Sequence, residues 1–179
     1  MSERKSDMPA WSYPVSVADI PETGRRAAIV ADDGARAAIA KLAGVVALPR
    51  LEAGFDLLRQ GADGVRLAGR VSATVVQNCV VTLEPIESEI DEAVDLAYTG
   101  QPASAADIAG LPEADASDPP EALHDGTIDL GAVATEFLLL GIDPYPRKPG
   151  AAFGERIESS AADDERPNPF AVLKDWKKD

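Results

Sequence analysis

Leu51-Glu-Ala-Gly-Phe-Asp-Leu57 and Val65-Arg-Leu-Ala-Gly-Arg-Val-Ser-Ala-Thr-Val75, joined through Gly61-Ala-Asp-Gly64, decide the fold. Successive side chains of a strand point to opposite faces, so apolar residues at every second position define one dry face and one wet face. Leu51, Ala53, Phe55 and Leu57 alternate with Glu52, Gly54, Asp56 and Leu58. Val65, Leu67, Val71, Ala73 and Val75 share a face opposite Arg66, Arg70, Ser72 and Thr74. The intervening Gly-Ala-Asp-Gly is a turn signal. Downstream, Ile86, Ile90, Val94, Leu96 and Tyr98 keep the even positions while Glu87, Glu89, Asp91 and Asp95 take the odd ones. The pattern predicts an antiparallel β-meander over about 45–98, a curved sheet or a partly closed barrel, with one solvated face. Gly69 interrupts the alternation and predicts a bulge. Gln77-Asn78 is expected to shift the register before Val80-Val-Thr-Leu83, and Glu84-Pro85 to break the run.

Helical spacing appears on either side of the meander. Ala35, Ala38, Ile39 and Leu42 fall on one helical face, with Asp32 as N-cap and Gly44 as the C-terminal stop, predicting a helix over 32–43. Leu130, Val133, Ala134, Phe137 and Leu138 follow i, i+3, i+4, i+7, i+8, an apolar stripe that requires a core to face. Asp129 caps that second helix, Gly141 ends it, and Asp143-Pro-Tyr-Pro-Arg147 prevents its resumption. Trp11, Tyr13, Val15 and Val17 alternate as a first strand, placed at an edge by Pro14, which has no amide hydrogen to donate. The fold class expected is α+β: an antiparallel meander packed with two main helices. Residues 1–149 form one such domain, with a flexible acidic insertion near 99–122 that is poor in large apolar residues. Residues 150–179 form an extended tail ending in a short Asn168-Pro-Phe-Ala-Val-Leu173 element.

Charge narrows the function classes. The chain has 179 residues, with 31 acidic against 17 basic side chains, a net of −14. Residues 71–146 hold 15 Asp/Glu and no Lys or Arg, so the whole deficit lies in that segment. An acidic field repels polyphosphate and attracts basic protein surfaces, whereas nucleic-acid binding draws on Lys/Arg contacts to phosphate. No apolar run approaches the ~20 residues needed to span a membrane, and the polar start, Met1–Ala10, shows no secretory signal.

The residues that carry chemistry elsewhere are sparse here. His124 is the single histidine, in a polar loop, and reads as an exposed side chain. Cys79 is the single cysteine; it precludes an intrachain disulfide and reads as a buried structural thiol. Asp125, Thr127, Asp129 and Glu136 mimic positions 1, 3, 5 and 12 of a calcium loop, but Leu130 occupies the sixth position, where a sharp turn needs Gly. No phosphate-cradling Gly-rich loop, nucleophile elbow or His-Glu-x-x-His helix occurs. The expectation is a protein that is not an enzyme and takes no cofactor or metal.

The order of Leu67-Ala-Gly-Arg-Val-Ser-Ala-Thr-Val75, Cys79-Val-Val-Thr-Leu-Glu-Pro-Ile86, a long acidic loop, Ile128-Asp-Leu-Gly-Ala-Val-Ala-Thr-Glu-Phe-Leu-Leu-Leu140 and Asn168-Pro-Phe-Ala-Val-Leu173 resembles the YceD family, the large ribosomal RNA subunit accumulation proteins. The resemblance spans nearly the whole chain. Some members carry a Cys-x-x-Cys-like pair where this chain has Cys79 alone, so no metal role is carried over. The resemblance implies a cytoplasmic bacterial (or plastid) factor, without catalytic residues, that supports accumulation of large-subunit (23S) ribosomal RNA. Combined with the charge map, it leads to contacts with a basic ribosomal or assembly protein, made by Glu87, Glu89 and Asp91 on the acidic strand and by Asn168, Pro169, Phe170, Leu173 and Trp176 in the tail. Direct rRNA contact through Arg50, Arg59, Arg66 and Arg70 is the less favoured route, and no membrane partner is expected. A small-ligand-binding β-domain, with the helix as lid over an apolar pocket, is the alternative of another class.

Overall fold

A computed structural model describes residues 9–61, 64–100, 120–123 and 125–152. The chain divides into two units, Met1–Lys148 and Pro149–Asp179, and of the second only 149–152 are described. The tail, most of the acidic insertion, His124 and the 1–8 segment lie outside the described residues.

In the first unit, β1 (Pro14–Ser16) leads through a short 3-10 turn into β2 (Arg25–Val30), α1 (Asp33–Ala43), β3 (Ala47–Gln60), β4 (Gly64–Asn78) and β5 (Pro85–Thr99). Then follow β6 (Glu121–Ala122), β7 (Thr127–Asp129) and α2 (Leu130–Gly141). The five-stranded sheet runs β2-β3-β4-β5-β6, antiparallel except where β6 joins β5 in parallel. Among the described residues its terminal strands, β2 and β6, do not pair with each other, so the sheet is not closed into a barrel. β1 and β7 form a separate antiparallel ribbon. The alternation of the sequence is realised: Leu51, Leu57, Val65, Leu67, Val71, Ala73 and Val75 have no solvent exposure. α1 packs on β3, and α2 packs on β4 and β5. One core cluster joins the dry face to Ile39 of α1 and to Leu130, Ala134 and Leu138 of α2.

Both helix starts follow from their caps. The Asp32 side chain accepts from the Ala35 amide, and Gly44 closes α1 in the left-handed region at φ 68°, which other residues adopt only with strain. Asp129 Oδ1 accepts from the Gly131 and Ala132 amides at 3.0 and 3.2 Å and also from the Tyr13 amide at 2.7 Å, while Ser12 Oγ donates to Oδ2 at 2.6 Å. One carboxylate thus starts α2 and ties the N-terminal segment to it, which accounts for Asp129 without a cation.

Two local expectations are corrected. Gly69 makes no bulge: the β4 register is continuous from Val65 to Asn78 against β5, and the irregularity in the sheet lies between Ala47 and Arg50 of β3. Gly69 sits on the dry face opposite Phe55, where a Cβ would overlap the Gly54 carbonyl and come within 2.7 Å of the Phe55 ring. Val80–Leu83 is not strand but the turn of a hairpin. β4 continues unshifted to Asn78, and the loop is closed by Cys79 N–H to Glu84 O and Leu83 N–H to Cys79 O, with Leu83 at φ 61°. Gly141 ends α2 as expected; a Cβ there would press on Ile90 and Glu92, so the glycine also lets the helix end lie against β5.

Gly69→Ala is expected to cost about 1–3 kcal/mol through overpacking against Phe55. Gly54→Ala, with open space around the new Cβ, should be neutral or stabilising by about 0.5 kcal/mol. Urea unfolding of the two variants measures the contrast, and equal effects would contradict the Gly69–Phe55 packing.

Candidate partner-binding surface

The wet face of the meander assembles the charged residues. Cross-strand neighbours place Arg50 opposite Thr74 and Thr74 opposite Glu89; Ser72 lies between Glu52 and Asp91, and Ala68 between Asp56 and Asp95. Arg50 donates to Glu89 at 2.6 Å and to Glu52 at 2.7 Å. Arg70 donates to Asp91 at 2.7 Å, and Arg66 grips Asp95 with two nitrogens at 2.9 and 2.7 Å. Arg26 extends the ladder to Asp56 at 2.7 Å. These pairs are half-exposed, and exposed pairs contribute little to stability individually. Their effect is on the field: the arginines of β3 and β4 neutralise three carboxylates of β5.

The unopposed anionic field expected over residues 71–146 is therefore corrected at this face. Segment charge counts neighbours in sequence, whereas neutralisation comes from strands paired across the sheet. Glu89 and Asp91 are ion-paired; Glu87 is exposed and carries no ion pair among the described residues, and the same holds for half-buried Glu92. Arg50, Arg66 and Arg70 are engaged by carboxylates and so are not offered freely to phosphate. The wet face of β2–β5 also bears no aromatic side chain, so it lacks the stacking platform that sheet-type RNA binders use. Asn168, Pro169, Phe170, Leu173 and Trp176 lie outside the described residues.

The field tunes the carboxylates. The Thr74 hydroxyl, at 2.7 Å, and then the Arg50 guanidinium hold Glu89 below the usual carboxylate range. The two-pronged Arg66 contact does the same for Asp95. Burial, reinforced by Glu121 and Glu136, raises the Tyr98 phenol.

The β4–β5 loop shows a contact network invisible in the sequence. Cys79 Sγ accepts from the Lys148, Thr82 and Val81 amides, each at 3.4 Å. Those donors, Lys148 first, push the thiol down to about 6. Val80 N–H donates to Pro146 O, and Lys148 Nζ pairs with Glu84 at 2.9 Å. The segment after α2 is thereby clipped to the loop, and the fully buried Cys79 serves as a structural acceptor. Nothing in the one-dimensional pattern placed Lys148 beside it.

Two surface concavities lie on the helix side of the described residues. One, about 490 Å³, runs between α1 and the start of β3 past Asp33, Arg36 and Lys41. The other, about 360 Å³ and apolar, lies between Leu42 of α1 and Leu139 and Leu140 of α2. The first lies between α1 and the sheet margin but opens past the charged Asp33, Arg36 and Lys41, while under α2 the side chains pack into one cluster with the dry face, so neither is an apolar pocket under a helix lid as the ligand-binding alternative requires. Among the described residues no group of three or more His, Cys, Asp or Glu side chains converges as for a metal ion, and no helix is long and apolar enough to cross a membrane.

Glu89 provides a pH-dependent check on the ladder. Its folded pKa is depressed, so its stabilisation is fully present above the unfolded value of about 4.3 and is lost as pH falls through the lower folded value. Thr74→Val, near-isosteric at a buried position, should lower the urea midpoint at pH 7, with the gap to wild type narrowing as pH falls below the unfolded carboxylate value of about 4.3. A gap that does not change with pH would assign the loss to packing alone.

No curated protein and no solved structure matches the chain. The family model for the large ribosomal RNA subunit accumulation protein YceD matches residues 67–177, from within β4 to near the C-terminus. A match over more than half of the chain, across β4, β5 and α2 and through Asn168-Pro-Phe-Ala-Val-Leu173, makes this protein a member of the YceD family.

Proposed function

We propose that this protein is a non-enzymatic factor of large-subunit ribosome biogenesis that works by holding a basic ribosomal or assembly protein. The family match carries the process. The surface supports the mode: carboxylates outnumber arginines on β5 and its neighbours, Glu87 and Glu92 remain unpaired among the described residues, and the nearby arginines are occupied. A cationic polypeptide gains from such a surface in rate and in partner choice, while an RNA backbone meets mostly negative charge. The protein then shields its cargo from wrong RNA contacts until delivery. The work is placed in the cytoplasm, where ribosome assembly takes place, with no cofactor.

Affinity purification of the full chain from growing cells at low salt tests this, with co-purifying proteins and RNA identified. Ribosomal proteins or assembly factors of the large subunit are expected, retained after nuclease treatment and released as salt rises. Purification with no ribosomal companion overturns the proposal. Companions that disappear with nuclease would replace the protein route by direct RNA contact.

A further inference from the structure

Backbone geometry identifies a second feature of β5. Leu123 N–H donates to Thr99 O at 2.8 Å, so the backbone groups of Thr99 face β6, away from β4. In a strand the N–H and C=O of one residue point to the same side, and the side alternates along the chain. Counting back from Thr99, the backbone groups of Ala97, Asp95, Ala93, Asp91, Glu89 and Glu87 point away from β4 as well. The rest of the sheet shows the same parity: Cys79 N–H reaches Glu84 O across the β4–β5 hairpin, and Val46 N–H reaches Val76 O on the β3 side. β6 pairs with Tyr98 and Thr99, a parallel pairing that also engages the Ala97 carbonyl, so among the described residues the donors and acceptors of Glu87, Glu89, Asp91, Ala93 and Asp95 meet no strand. All five residues are exposed. Pro85, next in the same series, has no N–H to leave open.

We infer that the free edge of β5 from Glu87 to Asp95 is a docking edge for an extended, basic polypeptide segment, which adds to the sheet as a further strand. The edge is about 30 Å long at ~3.3 Å per residue, room for a strand of about nine residues. Unpaired backbone groups supply the affinity of such an addition, and side chains at alternate positions supply the selection. The residues whose backbone groups face outward are also those whose side chains stand on the wet face: Glu87, Glu89, Asp91 and Asp95. Lysine or arginine at every second position of the incoming strand comes alongside them. The dry-face neighbours, Ile90 and Val94 with Glu92 between, accept small apolar residues and one more cation. The occupant is fixed by charge: β5 holds five carboxylates and no cation, and the three arginines that reach across to it leave Glu87 and Glu92 unmatched. A second copy of β5 would bring like charges face to face. This deepens the proposed function by stating how a basic partner is gripped, and it takes only the partner's polypeptide nature from that proposal.

The test uses the full chain and a nine-residue peptide of alternating lysine and valine. Three effects are expected. The peptide binds, and the amides of Glu87, Glu89, Asp91, Ala93 and Asp95 gain protection from hydrogen exchange, while the already paired amides of Ser88, Ile90 and Val94 do not change. The same peptide N-methylated at alternate residues, with its charge intact and its pairing blocked, binds about tenfold or more weakly. Glu87→Lys with Glu92→Lys weakens the parent peptide, and Arg26→Glu on the opposite edge strand does not. Equal binding of the N-methylated peptide overturns the inference, because the attraction would then be charge alone. Protection of the odd-numbered amides before any peptide is added also overturns it, since the chain itself, or a second copy, would occupy the edge. Ribosomal companions kept by a chain that fails this test would leave the proposed function standing without the edge; peptide pairing by a chain without such companions would do the reverse.

Discussion

The register of β3 against β4 and of β4 against β5 is the constraint on which the rest depends. A slip of one residue would move every side chain of a strand to the other face. With Leu51 opposite Ala73 and Ala73 opposite Ile90, the dry face closes over Ile39 and Leu138. The same pairing sets Thr74 beside Glu89 and brings Arg66 within reach of Asp95. It also decides which amides of β5 look outward. Core, ion-pair ladder and open edge are three readouts of one parity. Register is strongly specified here because the centre of one face is buried, and a slipped alternative would expose Phe55, Leu57 and Leu67 while burying Arg66 and Arg70.

Legibility in the sequence followed the range of the interaction. The three long strands β3 to β5 and both helices were readable because period and capping are local: Asp32 and Gly44 bound α1, and Asp129 starts α2; the shorter β2, β6 and β7, which exist through their pairing partners, were not read. Gly69 was misread because a glycine within a strand has two physical explanations, a bulge or a close neighbour, and the neighbour, Phe55, is a strand away. Val80–Leu83 mimics a strand in composition. Its turn is imposed by the Cys79–Glu84 closure and by Pro146 and Lys148, which arrive from far along the chain.

The charge map failed for the same reason and in an informative direction. A segment of 76 residues with no cation implies a strong field only if its spatial neighbours are also uncharged. The meander instead interleaves that segment with strands rich in arginine, and Arg50, Arg66 and Arg70 each meet a β5 carboxylate. What survives is a smaller, more specific asymmetry: Glu87 and Glu92 beside an open backbone edge. Under the docking proposed at β5, directional hydrogen bonding along the edge adds to the attraction between opposite charges. The tail element Asn168–Leu173 bears on neither, since it lies outside the described residues.

The acids of β5 then have two consequences from one placement. An exposed strand edge is a template for association, and soluble proteins commonly guard it with charge. Five carboxylates along β5 guard it against copies of itself and against any neutral or acidic strand. The guard is selective rather than absolute, because a strand with matching cations meets attraction where others meet repulsion. A hydrophobic edge would hold a partner more tightly but would not discriminate, and a lysine-guarded edge would admit RNA. An acidic edge beside wet-face arginines that are already occupied disfavours both kinds of error. That combination is what the proposed function asks of a protein that would hold a basic partner among polyphosphate.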